Sequence, residues 1–260
     1  MEAALSVLMP VYNEERWLAV ILGHVLARPE VGELIAVDDG STDRSLEILD
    51  RAAASDPRLH VIRQDRNRGK GAAVRRAIEA ASLPFALIQD ADLEYDPRDY
   101  PMLLEPLLEG RTDVVYGVRG FSNHSAYNYW FVLGNRLVSW VTNLLFNCYI
   151  SDMETGYKIM RTDLWKRVHL SRDRFDIEPE VTARVLRLGY RIHEVPIRYY
   201  ARGRDEGKKL TWVDGVRALA VLLRLRLGLE RGPRDDPGYH RKRQQELARY
   251  HPLVSSRDQE

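Results

Sequence analysis

"LIQDADLEYDP", residues 87–97, sets two carboxylates, Asp90 and Asp92, two positions apart directly after an apolar run. If that run is a buried strand, its side chains alternate between faces and both carboxylates leave the strand end on one side. A turn accounts for the pattern, because Asp is at home after a strand and Asp96-Pro97 is turn chemistry in any case. A cation site accounts for it equally, and the choice depends on what the rest of the chain sets beside the pair.

Working outward, the apolar runs "LSVLMPV" (5–11), "ELIAVDD" (33–39), "LHVIRQ" (59–64), "FALIQDAD" (85–92) and "DVVYGVR" (113–119) alternate with helical patterns at 14–27, 43–54, 71–81 and 98–109. Unbroken apolar strands separated by helices predict parallel βαβ units with helices on both faces of the sheet. From 121 the rhythm changes. A polar aromatic loop "FSNHSAYNYW" leads to an amphipathic helix over 128–146, a turn "SDMETGYKIM" (151–160) and a helix over 178–188. The strand "YRIHEVPIRYY" (190–200), a polar loop "ARGRDEGKKL" (201–210) and a last helix over 212–228 follow. Residues 229–260 turn charged and Pro/Gly-containing, the composition of a solvated tail.

A chain of 260 residues is long enough to bury a substantial core, and its net charge of +1 argues against a dedicated nucleic-acid binder. The single cysteine, Cys148, lies in the apolar "LLFNCYIS" and reads as an inert buried thiol in a reducing compartment. The N-terminal apolar segment is short and lacks a basic flank, so it reads as a first strand and not as a signal peptide. No run reaches eighteen apolar residues; the nearest, 130–146, is interrupted by Asn135, Arg136 and Asn143. The last helix sets an apolar face beside Arg217, Arg224, Arg226 and Arg231. That is the composition of a helix lying in an anionic membrane interface, or of a core-packing helix with solvated arginines.

Four segments fall at strand ends, where open α/β sheets bind ligands: "MPVYNEE" (9–15), "VDDGSTD" (37–43), "DRNRGKGAA" (65–73) and "QDADLE" (89–94). A carboxylate at Asp39 suits a base N–H or a ribose hydroxyl, while Ser41 or Thr42 suits a helix N-cap. "NRGKGAA" is not a P-loop, since the first glycine and the Ser/Thr after Lys70 are missing. Gly69 and Gly71 either let a backbone approach a nucleotide or shape the turn into the next helix.

"PVYNE" (10–14), "DDGSTD" (38–43), "NRGKGAA" (67–73) and "DAD" (90–92), in this order and spacing, resemble the family 2 glycosyltransferases from Ser6 to about Gly228. "DMETGYKIM" (152–160), "FDIEPEVTARVLRLGYRIHEVPIRYYARG" (175–203) and "GKKLTWVDG" (207–215) resemble the subgroup of dolichol-phosphate mannose synthases and bacterial polyprenyl-phosphate hexosyltransferases. The resemblance implies an α/β GT-A (Rossmann-like) fold: a mixed, mainly parallel sheet flanked by helices, with C-terminal amphipathic helices. It divides residues 1–228 into a nucleotide-sugar half (1–119) and an acceptor half (120–228), with 229–260 as a polar tail.

The same resemblance implies that Pro10, Tyr12, Glu14, Val37 and Asp39 line the base and ribose pocket, and that Gly69, Lys70, Asp90 and Ala91 border the donor. Asp92 would bind Mg2+ or Mn2+ directly, Asp90 the metal or the ribose, and Glu94, where relatives often carry Gln, would be a third ligand. Arg119, Arg202 (or Arg204) and Lys208 or Lys209 would bind the donor diphosphate and the acceptor phosphate, the loop over 201–210 excluding water from a hydrolysable donor. A hydroxyl acceptor needs a general base, for which Asp152 or Glu178 would serve. A polyprenyl phosphate is already anionic, and Asp152 would then orient the loop or the acceptor, or cap a turn. The expected activity is inverting transfer of mannose or glucose from a GDP- or UDP-hexose to a polyprenyl phosphate. The expected location is cytoplasmic, peripheral to the inner membrane face. Transfer to a hydroxyl acceptor, or a non-catalytic nucleotide-sugar-binding subunit, are the alternatives.

Overall fold

The computed structural model describes residues 3–120, 129–201 and 212–230, with Gly232 and Gly238. Arg202, Arg204, Lys208, Lys209, the loop over 121–128 and nearly all of the tail beyond 230 lie outside the described residues. Seven strands form one sheet: β1 (Leu5–Val11), β2 (Val31–Asp38), β3 (Leu59–Arg63), β4 (Phe85–Ile88), β5 (Val114–Arg119), β6 (Lys158–Arg161) and β7 (His193–Ile197). The helices are α1 (Leu18–Leu26), α2 (Ser45–Ser55), α3 (Lys70–Ala80), α4 (Tyr100–Leu108), α5 (Tyr129–Phe146), α6 (Thr162–Arg167), α7 (Ile177–Arg187) and α8 (Trp212–Arg226).

Strand order is β3-β2-β1-β4-β6-β5-β7. Parallel pairing joins β1 to β2 and β4, β2 to β3 and β5 to β7, while β6 runs antiparallel to both β4 and β5. Alternation along the strands feeds two core layers. Leu5, Val7, Met9 and Val11 of β1 pack with α1, α4 and Leu49 of α2 on one face. Leu8, Ile35 and Val37 pack with α3, α6 and α7 on the other. A third apolar cluster seats α5 and α8 against Ala183 of α7 and Met153 of the loop before β6.

The stretch expected as a turn over 151–160 contains β6, the antiparallel centre of the sheet's second half. Its first residue, Lys158, is fully buried, which conceals the strand from a reading that looks for apolar runs. The ammonium is satisfied by Glu178 Oε2 at 2.7 Å and by the carbonyls of Met153 (2.9 Å) and Thr155. Tertiary partners thus override local propensity here. The strand expected over 85–92 also stops early, at Ile88, so Asp90 and Asp92 stand in the turn beyond the sheet and share a side through turn geometry.

Candidate active site

The carboxyl ends of β1, β2 and β4 open onto a cavity of about 410 Å³. Its walls include Pro10, Tyr12, Glu14, Asp39, Gly69, Lys70, Asp90, Ala91, Asp92, Glu94 and Arg119. All of these were expected from the sequence. Val37 was expected too, but its side chain is fully buried in the core under the site and does not line the cavity. Val11, Asn67, Tyr95, Glu154, Gly156, Arg174, Phe175, Glu178, Tyr199, Asp214 and Arg217 complete the lining.

The motifs hold one another before they hold anything else. Asp39, almost wholly buried, accepts from Gln64 Nε2 (2.9 Å), Arg68 N (2.8 Å) and Gly69 N (2.7 Å), tying the end of β2 to the loop before α3. Burial pushes its carboxyl upward, and the two backbone amides oppose the shift. Ser41 and Thr42 do not cap α2. Ser41 Oγ accepts from Asn13 N (3.1 Å) and Thr42 N donates to Asn13 Oδ1 (2.8 Å), stapling the turn after β1, while Asp43 Oδ1 accepts from Ser45 N (2.9 Å). Gly69 has φ +104°, and a Cβ there or at Gly71 would collide with the carbonyls of Asp173 and Arg172. These glycines therefore let α3 dock on the 170–175 loop.

Lys70 Nζ lies 2.8 Å from Asp90 Oδ1 and 3.0 Å from Glu178 Oε1, and Glu178 also takes Lys158 at 2.7 Å. Four buried or nearly buried charges alternate in sign from the end of β4, through α3 and α7, to β6. Glu178 stays below the ordinary carboxylate value because its two lysines outweigh its burial. Asp90 is shifted upward by burial, with the charges of Asp92 and Glu178 adding to the shift and Lys70 opposing it. The turn reading of "DADLE" holds, since Asp92 Oδ1 accepts from Glu94 N (3.1 Å). Glu94 Oε2 accepts from the Tyr199 hydroxyl (2.6 Å).

Among the described residues no three carboxylates, histidines or cysteines converge into a ready metal cage. Mg2+ is ordinarily held by one or two carboxylates together with substrate phosphates, and Asp92 with Asp90 behind it is a donor set of that kind. A divalent cation beside them also relieves the repulsion between the two aspartates.

Asp152 is buried against Arg119. Its oxygens accept from Arg119 Nε (2.7 Å), Nη2 (2.6 Å) and the backbone N–H (3.2 Å), and the guanidinium lies 5.2 Å from the centroid of the Tyr199 ring. The bidentate fork aims Arg119 at the cavity while keeping Asp152 off its lining. Glu154, two residues on, lines the cavity, and its Oε1 is shut off from solvent with no hydrogen-bond partner among the described residues. Burial pushes this carboxyl up to about 7, with Lys158 and Arg119 pulling against the shift. Nothing in the local sequence marks Glu154, Tyr95, Tyr199 or Arg174 as cavity residues. They arrive through β6, the loop before α7 and the isolated Tyr95–Tyr199 bridge, which only the tertiary fold reveals.

The family described as Glycosyl transferase family 2 matches residues 6–168. An undecaprenyl-phosphate mannosyltransferase of Micrococcus luteus is 28% identical over 243 residues, covering 85% of this chain and 98% of that protein. An undecaprenyl-phosphate 4-deoxy-4-formamido-L-arabinose transferase of Pectobacterium carotovorum is 41% identical over 128 residues, 47% of this chain and 38% of that protein. The chain thus spans nearly all of one curated relative and well under half of another. Glucosyl-3-phosphoglycerate synthase of Mycobacterium tuberculosis, solved with Mn2+, uridine-diphosphate-glucose and phosphoglyceric acid, has a TM-score of 0.66 at 22% identity. That match covers 91% of this chain and 82% of the other, and at that identity the likeness is one of fold.

The Glu154 carboxyl gives a pH test. Its folded value, about 7, lies above the ordinary 4.5, so between those values the folded chain keeps a proton that the unfolded chain has released. The associated stability is complete below about 4.5 and is lost as pH rises through about 7. Urea unfolding at about pH 5 and about pH 8 is expected to show the parent losing on the order of 3 kcal/mol relative to Glu154→Gln. An equal difference at both pH values contradicts the burial of this carboxyl.

Proposed function

Because the chain belongs to glycosyl transferase family 2, we propose that it moves a hexose, mannose or glucose, from a GDP- or UDP-sugar to a polyprenyl phosphate at a membrane surface. Residues 1–119 build the donor side and 120–228 the acceptor side, with 229–260 outside the catalytic unit. Pro10, Tyr12, Glu14 and Asp39 surround the nucleoside. Asp92, supported by Asp90 and Glu94, would hold Mg2+ or Mn2+, whose contribution when bound is to neutralise charge on the departing diphosphate. Lys70 holds Asp90 in place, and Arg119, with Arg202 and Lys208 or Lys209 from the segment 201–210, would meet phosphate oxygens.

The observation that carries the phosphate acceptor is the Arg119–Asp152 pair. Both Asp152 oxygens are engaged by the guanidinium and both Glu178 oxygens face lysines, so neither expected base is placed to receive a proton. A phosphate oxygen needs no base. It forms the bond to C1 as the bond from C1 to the diphosphate oxygen breaks, the electron pair leaves on the diphosphate, and C1 inverts. The names of the Micrococcus and Pectobacterium relatives support the same acceptor class.

Membrane contact rests on α5 and α8. Among the described residues no helix is long and apolar enough to cross a membrane. Leu133, Leu137, Trp140 and Leu144 nonetheless form an exposed row along α5 at helical spacing, with Arg136 exposed beside them. On α8, Val216 and Leu223 are exposed, and the same helix sends Asp214 and Arg217 to the cavity. α8, which packs on α5, thus carries both exposed apolar side chains and cavity residues. Of the four arginines read from the sequence on and after this helix, Arg217 also lines the cavity.

Purified protein, Mn2+, radiolabelled GDP- and UDP-hexoses and a short polyprenyl phosphate are expected to yield organic-soluble label that mild acid releases as hexose. Asp92→Ala is expected to cut the yield at least about 100-fold without unfolding the chain. Label remaining only in water as free sugar would move the acceptor to a hydroxyl compound. For the membrane contact, Trp140→Glu is expected to weaken co-sedimentation with phosphatidylglycerol vesicles several-fold at unchanged Tm. Undiminished binding would place the contact elsewhere.

A further inference from the structure

Five of the carboxylates around the cavity are engaged by protein donors. Asp39 takes three N–H groups, Asp90 takes Lys70, Glu178 takes two lysines, Asp92 takes the Glu94 amide and Glu94 the Tyr199 hydroxyl. Glu154 lines the same cavity, yet its Oε1 has neither solvent nor a hydrogen-bond partner among the described residues. A buried carboxyl oxygen left unpaired costs folding free energy, and such an orphan in a functional cavity points to a partner supplied from outside the chain.

Position narrows the chemistry of that partner. Glu154 and Gly156 belong to the loop before β6, which crosses behind the Asp90 turn. A Cβ on Gly156 would come within 2.8 Å of Asp90 Oδ2 and 3.0 Å of the Tyr95 ring, so glycine keeps the floor open there. The Tyr95 hydroxyl accepts from Gly156 N (2.6 Å), and its ring stacks on Tyr157 with centroids 4.6 Å apart, which makes the floor rigid. Pro10, Tyr12 and Asp39, which the proposed function sets around the nucleoside, line the same cavity. Gly156, two residues on from Glu154, lies against Asp90 Oδ2, so Glu154 neighbours the turn at which the proposed function sets the diphosphate. A sugar hydroxyl donates readily to a carboxyl oxygen, whether or not that carboxyl carries its own proton.

We propose that Glu154 is the hexose-recognition residue of this site, its Oε1 accepting a hydrogen bond from a ring hydroxyl of the transferred sugar. This rests on the glycosyl-transfer reading above and deepens it, assigning sugar choice to the loop before β6 and leaving the nucleoside pocket out of it. A hydrogen bond to a buried carboxyl oxygen gives discrimination because a sugar lacking that hydroxyl, or presenting it on the other face of the ring, leaves the oxygen unpaired.

Calorimetric titration of a panel of UDP- and GDP-hexoses, with UDP and GDP alone, tests it on the full chain in Mn2+. For the hexose donor the parent prefers, Glu154→Ala is expected to weaken binding at least about 10-fold, with the matching nucleoside diphosphate bound as before. Its Tm is expected at or above the parent's, because an unpaired buried carboxyl is removed. Glu154→Gln, which keeps the shape, falls between parent and alanine. Equal weakening of sugar and diphosphate, or a clear fall in Tm, would make Glu154 a structural residue. Unchanged donor affinity would overturn the inference whether or not turnover falls, since a base acting on the acceptor gives that result. A parent that binds the diphosphate but gains nothing from any hexose overturns it too. A parent that binds neither UDP nor GDP removes the glycosyl-transfer reading itself.

Discussion

The site depends on a line of buried charges, Lys158–Glu178–Lys70–Asp90, that runs between β6, α7, α3 and the turn after β4. Each link is an ion pair of 2.7–3.0 Å away from bulk water, where opposite charges at about 4 Å interact by about 4 kcal/mol at an effective dielectric of 20. Removing one member leaves an uncompensated buried charge, which typically costs about 3–5 kcal/mol. The line therefore fixes four elements relative to one another, and these four elements shape the middle of the cavity. It also fixes Asp90 of the DAD turn through Lys70.

A second buried pair, Arg119–Asp152, positions a further cation at the cavity. Burying a guanidinium is tolerable only with a bidentate partner, and Asp152 supplies one. The consequence is chemical as well as structural. An aspartate used to aim an arginine is not placed to take a proton, so a site built this way suits an acceptor that arrives deprotonated. The exposed apolar row on α5 and the cavity residues on α8 fit the same economy, because a lipid phosphate brings both its charge and its hydrophobic anchor.

Much of this was legible in the chain itself. The first five strands announce themselves by apolar runs, and their helices by period, because a sheet buried on both faces leaves little choice of residue. The four strand-end motifs converge as their positions require. What escaped the sequence shares one cause, which is long-range partnering. β6 was hidden by Lys158, a residue that is buried only because Glu178 and two carbonyls reach it. Ser41 and Thr42 looked like helix caps until Asn13 claimed them. Val37 alternates into the core and does not line the cavity. Glu154 sits in a stretch that reads as a plain turn, and its environment exists only once β6 lies between β4 and β5.

The central claim is that the cavity takes a nucleoside diphosphate across the Asp90–Asp92 turn together with a divalent cation. A crystal structure with Mn2+ and the nucleoside diphosphate that binds, with manganese located by its anomalous signal, tests it most directly. The account predicts a manganese peak against Asp92 and the diphosphate oxygens, with Lys70 still on Asp90 and the nucleoside beside Pro10 and Tyr12. A peak away from Asp92, or a diphosphate bound outside this cavity, would contradict it.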